Sequence, residues 1–464
     1  MQIVNGQAKD VQIAYIGGGS RGWAWGLMTD LALDSGMEGC VRLYDIDRDA
    51  AEKNARIGAI ISADPRAVSR WRYTVAGSLR DALTGADFAV ISILPGTFDE
   101  MESDVHAPES LGVYQSVGDT TGPGGLMRAL RTVPMFAEIA AAVRDYAPNA
   151  CVINYTNPMA LCVQTLYRVF PEIRAFGCCH EVFGTQKLLS AVLRDMEGIP
   201  DVPREEISVT VQGINHFTWF SKASWRGTDL FPVYRAFCEK YKDTGFTGAA
   251  DDNWLNTYFA CTHRVKMDLF LRYGRIAAAG DRHLSEFMGP WYLKDPETAR
   301  VWGFSLTPVS WRKKDLKDRL DRQARLLSGE EKPSFTPTGE EGHLMMKALL
   351  GLHDMITNVN LPNRGQIPNL PLGAVVETNA LFRRDEISPV YAGPMDCGIL
   401  ALTMRHVANQ QNILNAALGC DRSLALAAFL NDPLMANVTP ADGEKLFDRM
   451  LHAQKKYLPA GWGL

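Results

Sequence analysis

The chain has 464 residues, of which 46% are hydrophobic and 22% charged, as in an ordinary soluble globular protein. Its net charge of −5 leaves no basic excess, so we expect neither nucleic acid nor an anionic membrane as a partner. Because the length exceeds that of a typical single core, two closely packed domains are expected.

The cysteines and the first ten residues indicate the cellular compartment of the protein. The nine cysteines follow no pairing rhythm, and residues 1–10 are polar rather than a basic and then apolar signal peptide. An odd number of cysteines in a long chain without a signal favours reduced thiols, and therefore a cytoplasmic location.

Strands and helices alternate through the first third of the chain. The apolar patterns predict strands at 11–16, 41–44, 88–94 and 151–155, and helices at 23–33, 47–62 and 136–146. Strands that alternate with helices indicate βαβ units and a parallel sheet. The fold prediction is α/β, with a Rossmann-like doubly wound parallel sheet in residues 1–200.

The pattern becomes mixed after about residue 200. It predicts a strand at 207–211, helices at 251–272, 342–357 and 399–418, and a surface loop at 328–341. We therefore expect residues 201–464 to form a mixed α+β second domain for catalysis, substrate binding and oligomerisation.

A glycine-rich turn follows the first strand and opens the first helix. Its glycines match the G-x-G-x-x-G motif, which allows a tight turn and close approach of a pyrophosphate to the helix N-terminus. Asp45 ends the second strand, where an acid binds the ribose and favours NAD over NADP, with Asp47 as the alternative. The predicted cofactor-binding residues are Gly17, Gly19, Ser20, Arg21, Gly22 and Asp45.

Four segments contain more polar and charged residues than a buried core needs: 118–125, 154–159, 178–182 and 213–217. The second follows a predicted strand directly, and ligands of parallel sheets bind beyond the carboxyl ends of strands. Cys179 and His216 can supply a thiolate and an imidazole to a borderline metal ion and leave positions open for substrate. On spacing alone, ordinary core roles for both residues remain the alternative.

These segments together resemble glycoside hydrolase family 4 over nearly the whole chain. The matching stretches are 13–20, 44–47, 118–131, 154–159, 179–180, 213–217, 280–283, 286–287 and 431–434. The resemblance implies a lactate/malate dehydrogenase-like fold and a requirement for NAD and a divalent metal ion, usually Mn²⁺.

The resemblance also implies an unusual route of glycoside cleavage, outside the two-carboxylate scheme of most glycosidases. Oxidation at C3 by NAD⁺ makes the C2 proton acidic, with the metal ion acting as a Lewis acid. Deprotonation at C2, elimination, addition of water and re-reduction complete the cycle. The NAD is therefore catalytic and is not consumed.

Site residues follow from the same resemblance. Cys179 and His216 are the predicted metal ligands, and Asn154 and Asn157 hold sugar hydroxyls near C2 and C3. Asp119 is expected to contact substrate as well.

The predicted base is Asp281, with Tyr273 as the alternative. An aspartate needs only a modest rise in pKa, whereas a tyrosine near 10 needs activation. A capping role at a helix N-terminus is the structural alternative for Asp281. His180 either assists the leaving group or orients a neighbouring residue.

The tetrad at 179–182, Cys-His-Glu-Val, matches the subgroup that acts on α-galacturonides and disfavours 6-phosphosugars. The expected substrate is therefore a small-molecule uronic-acid glycoside, with an α-glucuronide or α-galactoside as alternatives. Arg282, Arg128 and Arg131 are the candidates for binding its C6 carboxylate, although each could instead form a structural ion pair.

Two alternatives from other classes remain: a plain NAD-dependent hydroxy-acid dehydrogenase, which would release NADH with its product, and a non-catalytic NAD-binding sensor, which would cleave no glycoside. The resemblance implies a homodimer or homotetramer.

Overall fold

The structure is a computed structural model that describes residues 1–248, 258 and 260–464. The strands are β1 Gln2–Val4, β2 Gln7–Ile16, β3 Met37–Tyr44, β4 Trp71–Val75, β5 Phe88–Ile91, β6 Cys151–Asn154, β7 Arg174–Gly177, β8 Ile207–Ile214, β9 Phe217–Trp225, β10 Thr228–Asp229, β11 Ile276–Ala277, β12 Met355–Pro362, β13 Val375–Arg383 and β14 Glu386–Pro389. The helices are α1 Trp23–Leu33, α2 Arg48–Ala63, α3 Leu79–Leu83, α4 Phe98–His106, α5 Gly122–Tyr146, α6 Met159–Val169, α7 Glu181–Glu197, α8 Phe231–Tyr241, α9 Arg264–Tyr273, α10 Asp281–Phe287, α11 Pro290–Leu293, α12 Pro296–Val301, α13 Val309–Ser328, α14 Gly342–Leu349, α15 Cys397–Gly419, α16 Arg422–Leu430 and α17 Pro440–Ala453.

The centre of the molecule is a sheet of six parallel strands in the order β4-β3-β2-β5-β6-β7. This is the doubly wound order in which the connections reverse direction between β2 and β5. The carboxyl ends of these two strands form the crevice where dinucleotides bind in such sheets. The predicted Rossmann-like parallel sheet is confirmed.

The sheet continues beyond β7 with strands from the second half of the chain. β12 pairs antiparallel with β7 through Asn360 and Gly177, and β13 and β14 follow it. The two halves therefore share one sheet and also one buried core, in which Phe176 of β7 packs edge-on against Phe382 of β13 at 5.1 Å between ring centroids.

A second, smaller sheet contains β8, β9, β10 and β11. Its main feature is the hairpin of β8 and β9, whose pairing ends at Ile214 and Phe217. The two-residue turn between these strands presents Asn215 and His216 toward the edge of the large sheet.

Several predicted elements differ from the structure. The helix predicted at 342–357 is wrong in its second half, because α14 ends at Leu349 and β12 begins at Met355. The helix predicted at 136–146 is the second half of the longer helix α5. In the helix predicted at 251–272, residues 251–257 and 259 lie outside the described residues, and the described part is helical from Arg264.

Across the described residues, no helix combines the length and the apolar character that a membrane span requires.

Candidate active site

The glycine turn after β2 is closed by the neighbouring strands. Gly17 takes φ +96°, and a Cβ at this position would lie 2.0 Å from the carbonyl oxygen of Ser92, after β5. The backbone N–H groups of Gly17 and Gly18 both donate to the carbonyl of Tyr44, at the end of β3. Only glycine fits at position 17, and the turn lies where the strand order reverses.

Asp45 lies against this turn, as the ribose-binding prediction requires. Its carboxylate accepts hydrogen bonds from the N–H of Gly19 at 2.8 Å and of Asp47 at 2.9 Å. The buried Asn54 of α2 donates to the carbonyls of Gly18 and Ser20 at 2.8 and 2.9 Å. Asn54 therefore braces the turn, and no motif in the sequence marks it.

Gly22 is the N-cap of α1 and offers no side chain to the first N–H groups of that helix. Arg21 lies 3.6 Å from Asp47 and its carbonyl accepts a hydrogen bond from Arg319 of α13. A glycine-rich turn in front of a helix N-terminus fits the pyrophosphate of NAD. The predicted cofactor residues thus lie together.

A second cluster gathers three side chains from three different elements. The ligand atoms of Asp119, His216 and His283 all lie within 4.8 Å of one another. The two imidazole rings stack with centroids 3.7 Å apart and planes inclined by 17°. Asp119 precedes α5, His216 lies at the β8–β9 turn, and His283 is on α10.

Hydrogen bonds fix the tautomers of the two histidines. The hydroxyl of Thr120 donates to Asp119 at 2.7 Å, so Nδ1–H of His216 must donate to that hydroxyl oxygen at 2.9 Å. Nδ1 of His283 is bound to the carboxylate of Glu181 at 3.0 Å. A metal ion would therefore bind both rings through Nε2, the arrangement that carboxylate and hydroxyl partners impose on metal-binding histidines.

The negative charge of the cluster suits a cation. Burial acts to lower the pKa of His283, but Glu181 more than offsets it, so a metal ion would displace a proton from this ring. Burial acts to raise the pKa of Asp119, but Arg128, His283 and His216 more than offset it, so the pKa lies below its usual range. Burial and His283 lower the pKa of His216 to about 3, which keeps this ring neutral. A carboxylate and a neutral imidazole are ligands that Mn²⁺ accepts, so the residues present fit such an ion.

Cys179 lies beside this cluster rather than in it. Among the described residues its sulfur is not one of the ligand atoms that share the 4.8 Å group. Its carbonyl accepts a hydrogen bond from Asn358, which also donates to Glu377. Burial raises the pKa of the Cys179 thiol well above its usual value, and Glu377 and Glu181 raise it further. Its role as a metal ligand stays a prediction.

The two parts of the site are joined by the loop after β7. The ring of His180 lies 6.2 Å from that of Trp23, the first residue of α1, and its Nδ1 lies 2.9 Å from Glu340. The next residue, Glu181, holds both His283 and the backbone N–H of Gly280. A continuous path of contacts therefore links the glycine turn, the predicted dinucleotide site, to the cluster of Asp119, His216 and His283. We call this turn the dinucleotide turn.

The two predicted sugar-binding asparagines differ in their surroundings. Asn154 is fully buried, and its amide is hydrogen bonded to both backbone groups of Thr156 at 2.9 Å. Asn157 has a buried Oδ1 with no hydrogen-bond partner in the described part of the chain, and its carbonyl accepts from Arg128 at 3.0 Å. The structure leaves Asn157 the freer of the two to contact a ligand.

The two candidate bases lie at opposite ends of α9. The buried carboxylate of Asp281 accepts hydrogen bonds from the first N–H groups of this helix, at Val265 and Lys266, both at 3.1 Å. Tyr273 ends the helix, about 12 Å further along its axis, where its ring meets that of Trp219 at 6.0 Å. Asp281 thus stabilises a helix N-terminus, and its catalytic role stays a prediction, as does that of Tyr273.

The arginines that the sequence offers as ligands of a C6 carboxylate differ in their hydrogen-bond partners. Arg131 is occupied by Asp104, with which it makes two hydrogen bonds of 2.6 and 3.2 Å. Arg282 is buried and donates to the carbonyl of Ser116 and the hydroxyl of Thr307. A further arginine near Asp119, Arg312 of α13, was missed because no motif surrounds it.

The fold and these two sites define a dinucleotide-binding α/β protein with a candidate metal centre. Family models agree: the family 4 glycosyl hydrolase model matches residues 12–195, and the model of its C-terminal domain matches residues 211–435. The chain belongs to glycosyl hydrolase family 4.

Individual relatives span the whole chain. An alpha-galacturonidase from Thermoanaerobacterium saccharolyticum is 59% identical over 100% of this chain and 99% of its own. A putative glucosidase from Bacillus subtilis superposes with a TM-score of 0.91 at 50% identity, over 96% of this chain and 100% of its own. A 6-phospho-alpha-glucosidase from gut microorganisms, solved in complex with NAD and Mn²⁺, has the same fold, with a TM-score of 0.79 at 21% identity over 97% of this chain and 99% of its own.

Proposed function

We propose that this protein is an α-galacturonidase that works with NAD and a divalent metal ion such as Mn²⁺. One observation carries the proposal: a dinucleotide turn and an Asp-His-His cluster are joined by a continuous path of contacts. The relative that is 59% identical over the full chain is itself an alpha-galacturonidase. A more distant protein of the same fold was solved with NAD and Mn²⁺.

Bound NAD and metal ion together supply reversible oxidation of a sugar hydroxyl, which makes the neighbouring C–H acidic. Asp119, His216 and His283 would hold the metal ion, with Cys179 as the further predicted ligand, and Glu181 orients His283. Asn157 would bind a sugar hydroxyl through its unpaired amide oxygen. These are tasks of binding and positioning, which is what the protein contributes in cofactor chemistry.

The identity of the C2 base remains a choice between Asp281 and Tyr273. Deuterium from the solvent is incorporated at C2 only while the base is active. Measuring this incorporation in the product of each variant therefore distinguishes Asp281 from Tyr273. We expect Asp281→Asn to abolish this exchange and Tyr273→Phe to retain it. The reverse result would assign the base to Tyr273.

The proposed activity is tested with 4-nitrophenyl α-galacturonide, the matching α-glucuronide and the matching α-galactoside, with Mn²⁺, NAD⁺ and a thiol present. We expect preferential cleavage of the galacturonide without NADH accumulating at 340 nm. A preference for the galactoside would refute the substrate. NADH produced in step with product would instead identify a dehydrogenase.

A cytoplasmic location, a homodimer or homotetramer, and a division of labour at about residue 200 belong to the same proposal. The nine cysteines are all free thiols, and Cys179 lies beside the metal cluster. Thiols stay reduced in the cytoplasm, which supports that location. Light scattering of the purified protein measures the oligomeric state directly, and a monomeric mass would refute that part.

A further inference from the structure

Arg312 lies in the first turn of α13 and is held there by its surroundings. The preceding Val309 is buried against Met101 and Val105 of α4, and its N–H donates to Nε2 of His106 at 3.2 Å. The N-terminus of α13 is therefore fixed. Burial lowers the pKa of Arg312, and the carboxylates of Asp119, Glu286 and Asp315 act against this effect.

The guanidinium group of Arg312 has donors that nothing in the described chain satisfies. Its Nε and Nη2 are buried without a hydrogen-bond partner, and no carboxylate oxygen of the described residues lies within 4.0 Å. Arg131, which is fully buried, shows the contrasting case, because Asp104 accepts from two of its nitrogens. An unsatisfied buried donor is costly, especially on a charged group, unless a ligand completes it.

Two further arginines face the same space, but each is already bound to backbone. Arg128 donates to the carbonyl of Asn157 through Nε, and its Nη1 is buried without a partner in the described chain. Arg282 donates to the carbonyl of Ser116. Asp119 and Glu286 act on Arg312 and Arg282, and Glu181 acts on Arg282 as well. A carboxylate ligand would complete the guanidinium donors of Arg312 and Arg128 that the described chain leaves unsatisfied.

We propose that Arg312, together with the open Nη1 of Arg128, binds the C6 carboxylate of the uronic acid and so selects galacturonides over neutral galactosides. The proposal rests on the proposed function and names its specificity determinant. A carboxylate has two oxygens in one plane, and the adjacent Nε and Nη2 of one guanidinium match that spacing. Arg312 thus joins Arg282 as a candidate for this role, whereas Arg131 is occupied by Asp104.

The test compares kcat/KM for 4-nitrophenyl α-galacturonide and α-galactoside in the wild type and in Arg312→Met. We expect the value for the galacturonide to fall about 10- to 150-fold, the loss of charge-assisted hydrogen bonds, while the value for the galactoside is retained or rises. The KM for NAD⁺ should stay unchanged. The matched control is Arg325→Met, at a partly exposed residue of the same helix paired with Glu331, which should change kcat/KM for neither substrate.

An equal fall for both substrates, or a raised KM for NAD⁺, would overturn the assignment and place Arg312 in a structural or cofactor role. Arg312→Lys keeps the charge but loses the planar fork, so it should retain a smaller but definite preference for the galacturonide. Arg312→Lys also tests the proposal if Arg312→Met does not fold. A lysine variant with full wild-type kcat/KM on the galacturonide would exclude recognition by the fork.

Binding of free galacturonate and galactose, measured by calorimetry without turnover, separates this proposal from the proposed function. If the wild type binds galacturonate through Arg312 but cleaves no galacturonide, the carboxylate site stands and the activity is wrong. If cleavage is normal and Arg312→Met binds galacturonate as the wild type does, the activity stands and the carboxylate site is wrong.

Discussion

His216 shows how the site constrains single residues. It takes φ +64°, in the left-handed region that costs a residue other than glycine of the order of 1 kcal/mol. The bond to Thr120 and the stack against His283 hold it there. Strained backbone and displaced pKa values are concentrated at binding sites, and both occur together here.

Asp119→Asn tests the metal cluster directly. The amide keeps the shape but removes the negative charge, so we expect Mn²⁺ affinity to fall at least about 100-fold, beyond the usual effect of altering a ligand's partner. NAD⁺ binding should be unchanged. Calorimetry of both ligands measures this, with the exposed Asp99→Asn as the control. Unaltered Mn²⁺ affinity would exclude Asp119 as a ligand.

Asp30 of α1 gives a prediction for pH. Burial raises its pKa to about 6, although Thr338 donates to it from both its N–H and its hydroxyl. The folded protein therefore keeps a proton that the unfolded chain releases near pH 4. This contribution to stability is complete below pH 4 and is lost as the pH rises through 6.

Asp30→Asn cannot titrate, so its stability relative to the wild type should rise by up to about 3 kcal/mol between pH 4 and pH 7. Urea unfolding at several pH values measures the difference. The exposed Asp49→Asn should show no such trend. A constant difference between wild type and Asp30→Asn would contradict the raised pKa.

At the scale of elements, local sequence predicted those whose stability is local. Residues 23–33 are helical as the apolar spacing indicated. The first half of α5 was not predicted, because its Gly-Pro-Gly-Gly start is typical of loops. A Cβ at Gly124 would lie 2.8 Å from the carbonyls of Asp104 and Gly118. Close packing between elements requires glycine there, and no local pattern reveals such packing.

Asp432 is the residue that anchors this glycine-rich start of α5. Its carboxylate accepts from the N–H of Gly122 at 2.9 Å and from the hydroxyl of Thr121 at 3.2 Å. Asp432→Ala leaves the buried N–H of Gly122 unsatisfied and removes one of the two partners of the Thr121 hydroxyl, the other being His406. We therefore expect a loss of about 2–3 kcal/mol in the free energy of unfolding. Chemical denaturation measures it. Asp421→Ala, at the exposed start of α16, should cost only about 1 kcal/mol. Equal losses would contradict the anchoring role.

At the scale of the whole molecule, the sequence predicted the parallel half of the sheet and missed its extension. β12 pairs with β7 through Asn360 and Gly177, which lie far apart in the chain. Such pairing depends on distant partners, so the apolar residues near 355 were assigned to a helix. The candidate site was likewise predicted only where local motifs mark its residues. Asp119 and His216 stood in visible motifs, whereas Arg312 becomes significant only when α13 brings it to Asp119.

The shared sheet predicts that residues 1–200 do not fold alone, although they contain the complete dinucleotide turn. In that fragment the edge of β7 would be unpaired, and Phe176 would lose its contact with Phe382. The same core also loses Met346 of α14 and Val359 of β12. We expect the fragment to lack cooperative unfolding by circular dichroism and to bind no NAD⁺, while the full chain unfolds in one transition that circular dichroism and tryptophan fluorescence report alike. A fragment that unfolds cooperatively and binds NAD⁺ would show that the first half is an independent domain, and that the antiparallel strands only cover its edge.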